Sequence, residues 1–171
     1  MSNTLFPVEL KAIAETGEIE GYASVFGNRD LDGDIVMPGA FKGLSGSVAM
    51  LWGHDQKRPI GVWDEVVEDA TGLRVKGRLL TNTRDGADAL EFAKAGAVRG
   101  LSIGYRTVRS RFSREKKARL LEQVALHEIS LVAIPANPQA RVERVKSLCP
   151  DRARRLAARI RAAAAAVRAG D

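Results

Sequence analysis

Few residues in this chain could carry out covalent chemistry. There are two histidines, at positions 54 and 127, and a single cysteine, at 149. His54 stands in LWGHDQKRPIG, where an apolar run gives way to a polar turn. Reactive groups are often carried in such places, although a surface histidine beside Asp55 needs no task. Glu128 stands in ALHEISLVAI, apolar on both sides. Glutamate is rarely buried without a partner, so either its face is solvated or the carboxylate meets a partner inside, with a histidine the obvious choice. His127 in a strand would face opposite to Glu128 and Ser130, as an ordinary sheet-face histidine. Ser102 lies in RGLSIGYR, with Gly100 and Gly104 leaving room for another chain to approach. By themselves these residues favour a packed strand serine. A serine, a histidine and a carboxylate brought together would supply a nucleophile, a general base and a group that fixes the imidazole tautomer. The order here would be His54, Ser102, Glu128. There is no G-x-S-x-G elbow around Ser102, which speaks against an α/β-hydrolase.

Metal chemistry is the other reading to weigh. FGNRDLDGDIVMPG, residues 26–39, offers Asn28, Asp30 and Asp32 at alternate positions, then Gly33 and Ile35, as a calcium-binding EF-hand loop does. The loop's twelfth position, where a bidentate glutamate is needed, is Gly39, and the preceding segment reads as a strand and not a helix. What remains is a polar turn whose Asp and Asn side chains bond to nearby backbone N–H groups. The histidines and the cysteine have no zinc-like spacing, and there is no P-loop. No cofactor and no metal are expected.

The elements that must position these residues are mostly strands. EIEGYASVFG (18–27), VAMLWGH (48–54), IGVWDEVVED (60–69) and GLRVKGRLL (72–80) read as short strands, and the last alternates Leu73, Val75 and Gly77 with Arg74, Lys76 and Arg78. DGADALEFAKAGAVRG (85–100) reads as a helix with Ala89, Leu90, Ala93 and Ala97 on one stripe, ended by Gly96 or Gly100. Two β-rich runs follow, 97–110 and 118–134, with the basic RSRFSREKK between them as a hairpin tip. PANPQ (135–139) reads as a turn. DRARRLAARIRAAAAAVRAGD reads as a C-terminal helix with little apolar surface to bury.

A chain of 171 residues fits one domain, or one domain with a tail. One cysteine excludes an intramolecular disulfide. No apolar run reaches the roughly 18 residues of a membrane helix, and the N-terminus does not read as a signal peptide, so a cytoplasmic protein without membrane contact is expected. The net charge of +6 is regional. Residues 1–138 hold 18 basic and 18 acidic side chains, whereas 139–171 hold nine basic against three acidic. The excess belongs to the tail and not to a binding face, and there is no aromatic interleaving, so nucleic acid is an unlikely partner.

Four segments together resemble one family: GYASVFGNRDLDGDIVMPGAF (21–41), LWGHD with PIG (51–61), GLSIGYR (100–106) and LHEISLVAIPANPQA (126–140). In this order and spacing they are similar to the prohead maturation proteases of tailed phages with an HK97-type capsid, which gene transfer agents also carry. The resemblance implies a mainly β fold with helices, a β-barrel like that of the herpesvirus assembly proteases. It implies a serine endopeptidase with catalytic His54, Ser102 and Glu128. His127 rivals Glu128 for the third place, and a carboxylate is favoured because it accepts an imidazole N–H more strongly. The implied partners are the major capsid protein and its scaffolding segment, with self-cleavage and a homo-oligomer both compatible, inside assembling proheads in the cytoplasm. The expected organisation is a protease barrel over 1–148 and a basic Ala/Arg-rich helical tail over 149–171. Backbone amides near Ala136 and Asn137 are the suggested oxyanion donors. The competing readings are an inactive capsid-assembly or scaffolding protein on the same barrel and a nucleic-acid-binding β-barrel.

Overall fold

A computed structural model describes residues 17–145. The expected C-terminal helix and the expected boundary between 148 and 149 lie outside the described residues, as does Cys149.

The described chain forms eight strands and one helix: β1 (Glu18–Val25), β2 (Asp34–Val36), β3 (Val48–Trp52), β4 (Asp55–Glu68), β5 (Gly72–Leu79), α1 (Arg84–Ala95), β6 (Gly100–Ser113), β7 (Ala118–Val132) and β8 (Arg141–Val145). The pairings run β7-β3-β4-β5-β1-β8-β6 and return to β7, so the sheet closes into a barrel. Closure removes the exposed edges that an open sheet would leave. β7 is the strand on which the others converge. One side carries β6 as a long antiparallel partner, from Gly100↔Val132 to Ser113↔Ala118. The other side carries two short strands end to end, both parallel to it: β2 against Arg119–Leu121 and β3 against Glu128–Leu131.

The interior follows from alternation. In β5, Leu73, Val75 and Leu79 point in and are buried, while Arg74, Lys76 and Arg78 point out. Trp63, Met50, Ile60, Leu101, Leu121, Ile129 and Leu131 complete a contiguous core. The Trp63 indole N–H, fully enclosed, donates to the Ile129 carbonyl at 3.0 Å, which ties β4 across the barrel to β7.

Several boundaries differ from those expected. β4 begins at Asp55, because Gly53 and His54 alone make the turn and Trp52 already pairs with Asp55. The basic run expected as a hairpin tip is largely strand, and only residues 114–117 turn. Its charge is offset across the ladder, where Arg109 and Arg111 both meet Glu122, at 3.2 and 2.7 Å. Of the two glycines expected to end the helix, Gly96 is the one that does: the helix stops at Ala95 and the Gly96 N–H bonds back to the Ala93 carbonyl at 3.1 Å, so that only Ala97 of the expected stripe lies beyond it. Its N-terminus is capped by Thr83, which accepts from the Gly86 N–H at 3.2 Å. The polar turn over 26–39 contains the short strand β2.

Trp63→Phe removes a buried donor and leaves a void. It should lower stability by about 1–3 kcal/mol, read as a fall in the urea midpoint at unchanged slope.

Candidate functional site

Three elements bring the candidate residues together: the turn after β3, β6 and β7. His54 is the second residue of the two-residue turn between β3 and β4. Gly53 and His54 both have positive φ, 58° and 65°, the pattern of a tight hairpin turn whose twist suits the strands. For histidine this left-handed conformation costs on the order of 1–2 kcal/mol, so other contacts must hold it. The His54 backbone N–H donates to Ser130 Oγ at 2.9 Å, and its ring Nδ1 lies 2.6 Å from Glu128 Oε1. The Ser130 hydroxyl in turn donates to Glu128 Oε2 at 2.6 Å. A single buried serine therefore braces both the turn and the carboxylate.

Glu128 and Ser130 stand two apart on β7 and share one face, opposite to that of Ile129 and Leu131, which point into the core. Both carboxylate oxygens are engaged, which offsets the cost of burying the group. The space for it is made by β6. Gly104 pairs with Glu128 across the ladder, and a Cβ at 104 would lie 2.1 Å from Glu128 Oε1. No other residue type leaves the carboxylate where it is.

Accepting at Glu128 places the imidazole proton on Nδ1 and leaves Nε2 as an acceptor. Ser102 sits on β6 opposite Ser130 and is 5% exposed. Its side chain and that of His54 line the same cleft, of about 150 Å³, together with Ala136 and Asn137. Ser102 Oγ makes no side-chain hydrogen bond among the described residues.

His127 is exposed. Glu128 pairs with Gly104 and Leu126 with Tyr105, so His127 is the extra residue of a β-bulge in β7. It takes no part in the pair between His54 and Glu128.

The acidic turn before β2 forms the opposite wall of the cleft. Asp30 Oδ1 accepts the backbone N–H groups of Asp32 and Asp34, at 3.0 and 2.7 Å, as the sequence predicts. The buried Asp34 pairs with Arg119 through two hydrogen bonds, one of them 2.9 Å. Asn28 donates to the Asn137 side chain at 2.8 Å, and Asn137 donates to the Val25 carbonyl at 3.0 Å, which fastens the PANPQ turn to this wall. Burial, and then the charges of Asp34 and Asp30, push the Tyr105 phenol up to about 12, so it stays neutral at physiological pH.

Ser130 was the residue that sequence reasoning passed over. Its signal was its place two residues after a glutamate in an apolar strand, hence on the same face.

The pattern of the caudovirus prohead serine proteases matches residues 6–151, and the chain belongs to that family. It is 39% identical over 138 residues to the prohead protease of Enterobacteria phage HK97, covering 77% of this chain and 61% of that one. It is 24% identical over 137 residues to the prohead protease of Escherichia phage T5, covering 77% and 64%. The chain thus spans less than two thirds of the length of either relative. Among solved structures, KSHV protease in complex with a hexapeptide phosphonate inhibitor superimposes with a TM-score of 0.50 at 10% identity, over 74% of this chain and 63% of that one. The expected herpesvirus assembly protease-like barrel is therefore the observed one.

The pair between His54 and Glu128 can be tested apart from any activity. A charge-assisted Nδ1–H gives a proton resonance far downfield, and it should be present in the wild type. It should vanish in Gly104→Ala, whose methyl displaces the carboxylate, and in Glu128→Ala. A signal that survives in Gly104→Ala would show that the carboxylate does not need the space Gly104 leaves.

Proposed function

We propose that the chain is a serine endopeptidase that cleaves the scaffolding segment of the major capsid protein during prohead maturation, with Ser102 as nucleophile, His54 as general base and Glu128 as the group that orients His54. The observation that carries this reading is the 2.6 Å contact between His54 Nδ1 and Glu128 Oε1, beside a cleft that also holds Ser102, in a chain of the prohead serine protease family.

The chemistry follows from the tautomer. His54 Nε2 takes the proton from Ser102 Oγ as the oxygen attacks a peptide carbonyl. Glu128 stabilises the imidazolium that forms. The imidazolium returns the proton to the departing amine, leaving an acyl-enzyme. Water, deprotonated by the same nitrogen, then releases the acyl group. Backbone amides near Ala136 and Asn137, which line the cleft, are the proposed donors to the oxyanion. The substrate lies as an added strand near Ser102. The work is done inside the assembling prohead.

Co-expressed with its capsid protein, the wild type should shorten the capsid chain, and Ser102→Ala should leave it at full length. His54→Ala should match Ser102→Ala, each with activity reduced by roughly 10³-fold or more. Glu128→Ala should be milder. A large loss in His127→Ala with little in Glu128→Ala would reassign the third role. If wild type and Ser102→Ala leave the capsid chain alike, the peptidase reading is wrong.

The basic tail, residues 149–171, is a candidate for removal by the enzyme itself. Mass spectrometry of assembled particles should then find a shortened chain, and recovery of the intact 171-residue chain would rule self-cleavage out.

A further inference from the structure

The cleft holds two features that the proposed mechanism does not use. The first is Ser24, a buried residue that lines the cleft and whose hydroxyl has no hydrogen-bond partner among the described residues. Buried hydroxyls are nearly always satisfied, so this one has bonding capacity left for a group in the cleft. The second is uncompensated negative charge. Of the three aspartates in the wall, Asp34 is neutralised by Arg119. The Arg29 guanidinium is turned away onto the Lys116 and Lys117 carbonyls. Asp30 and Asp32 both line the cleft and have no cation among their hydrogen-bond partners. Burial first, and then the charges of Asp34 and Asp32, raise the Asp30 carboxyl, a sign of negative charge without an answering cation. Between these features run the apolar walls of Val36 and Ile103 and the ring of Tyr105.

We infer that this cleft is a subsite for a lysine or arginine side chain of the substrate, next to the scissile bond. The aliphatic stem packs on Val36, Ile103 and Tyr105. The cationic head faces Asp30 and Asp32, and its N–H groups satisfy the lone pairs of Ser24 Oγ. An acidic side chain is repelled by the wall. An apolar one leaves the serine unpaired and the carboxylates unanswered. The inference rests on the peptidase reading, because it takes the bond beside this subsite to be the one Ser102 attacks.

The test uses the full-length chain and a library of peptides made by cutting a bacterial proteome at glutamate. New ends are identified by mass spectrometry, and only bonds that Ser102→Ala leaves intact are counted. Lysine and arginine should be enriched at one fixed position beside the cut bonds. Asp32 is exposed and its carboxylate holds no hydrogen bond among the described residues, so Asp32→Asn should fold. This variant should lower the enrichment by about threefold, the scale of one lost charge pair at an exposed carboxylate. Asp32→Lys should favour acidic residues at the same position. With the wild type, raising salt from about 0.1 M to about 1 M should also weaken the enrichment, because screening shortens from ~10 to ~3 Å. Wild-type cleavage with no basic residue enriched at any position would overturn the subsite and leave the peptidase standing. So would an enrichment unchanged in Asp32→Asn and by salt. No Ser102-dependent cleavage at all would overturn the peptidase, and the subsite with it.

Discussion

A carboxylate taken out of water must be surrounded by donors or it will not stay ionised. Glu128 is in that position, and much of the local structure answers to it. One oxygen receives the imidazole of His54 and the other the hydroxyl of Ser130. Gly104 is bare because the carboxylate occupies the space its side chain would fill. Ser130, with its O–H directed at the carboxylate, accepts the backbone N–H of His54 and so holds the turn in a conformation that histidine seldom adopts. These contacts form one connected network, in which removing any member leaves another buried group without its partner.

The barrel supplies what this network cannot, which is placement in three dimensions. Because β7 is paired on both sides, the turn after β3 and the start of β6 are fixed to the same few residues of one strand. Leu51 and Ser102 both stand against Ser130, one on each side. Ser102 and His54 thereby reach one cleft from opposite edges of β7. Long side chains project from the outer half of β6, whose face is largely exposed. The inner half carries Gly100, Leu101 and Ser102, all buried. The same strand thus changes from surface hairpin to barrel wall along its length.

Much of this was legible in the chain. The alternation in GLRVKGRLL reported β5 faithfully, since a half-buried strand has to show its period. ALHEISLVAI left two readings, a solvated glutamate or one paired inside with a histidine, and the structure gives the second, with His54 as the partner. β2 was missed because three residues are too few to carry a period, and because the aspartates around them serve the turn. β8, which reads RVERV, is polar for a strand and is recruited by pairing with β1. The start of β4 was obscured by DQKRP, whose charged residues stay exposed although the backbone is extended. The role of Ser130 needed the fold, because only the position of the β3–β4 turn shows what its hydroxyl accepts.

The pairing of β3 with β7 also bears on when the protein can assemble. His54 and Glu128 are 74 residues apart in the chain. Parallel neighbours cannot be joined by a tight turn, and contacts so distant in sequence form late. As the chain leaves the ribosome, the turn bearing His54 emerges long before the strand that braces it. Until β7 has been synthesised, that turn lacks both Ser130 and Glu128, and the left-handed histidine has nothing to hold it. The network therefore cannot exist in a chain that stops short of β7.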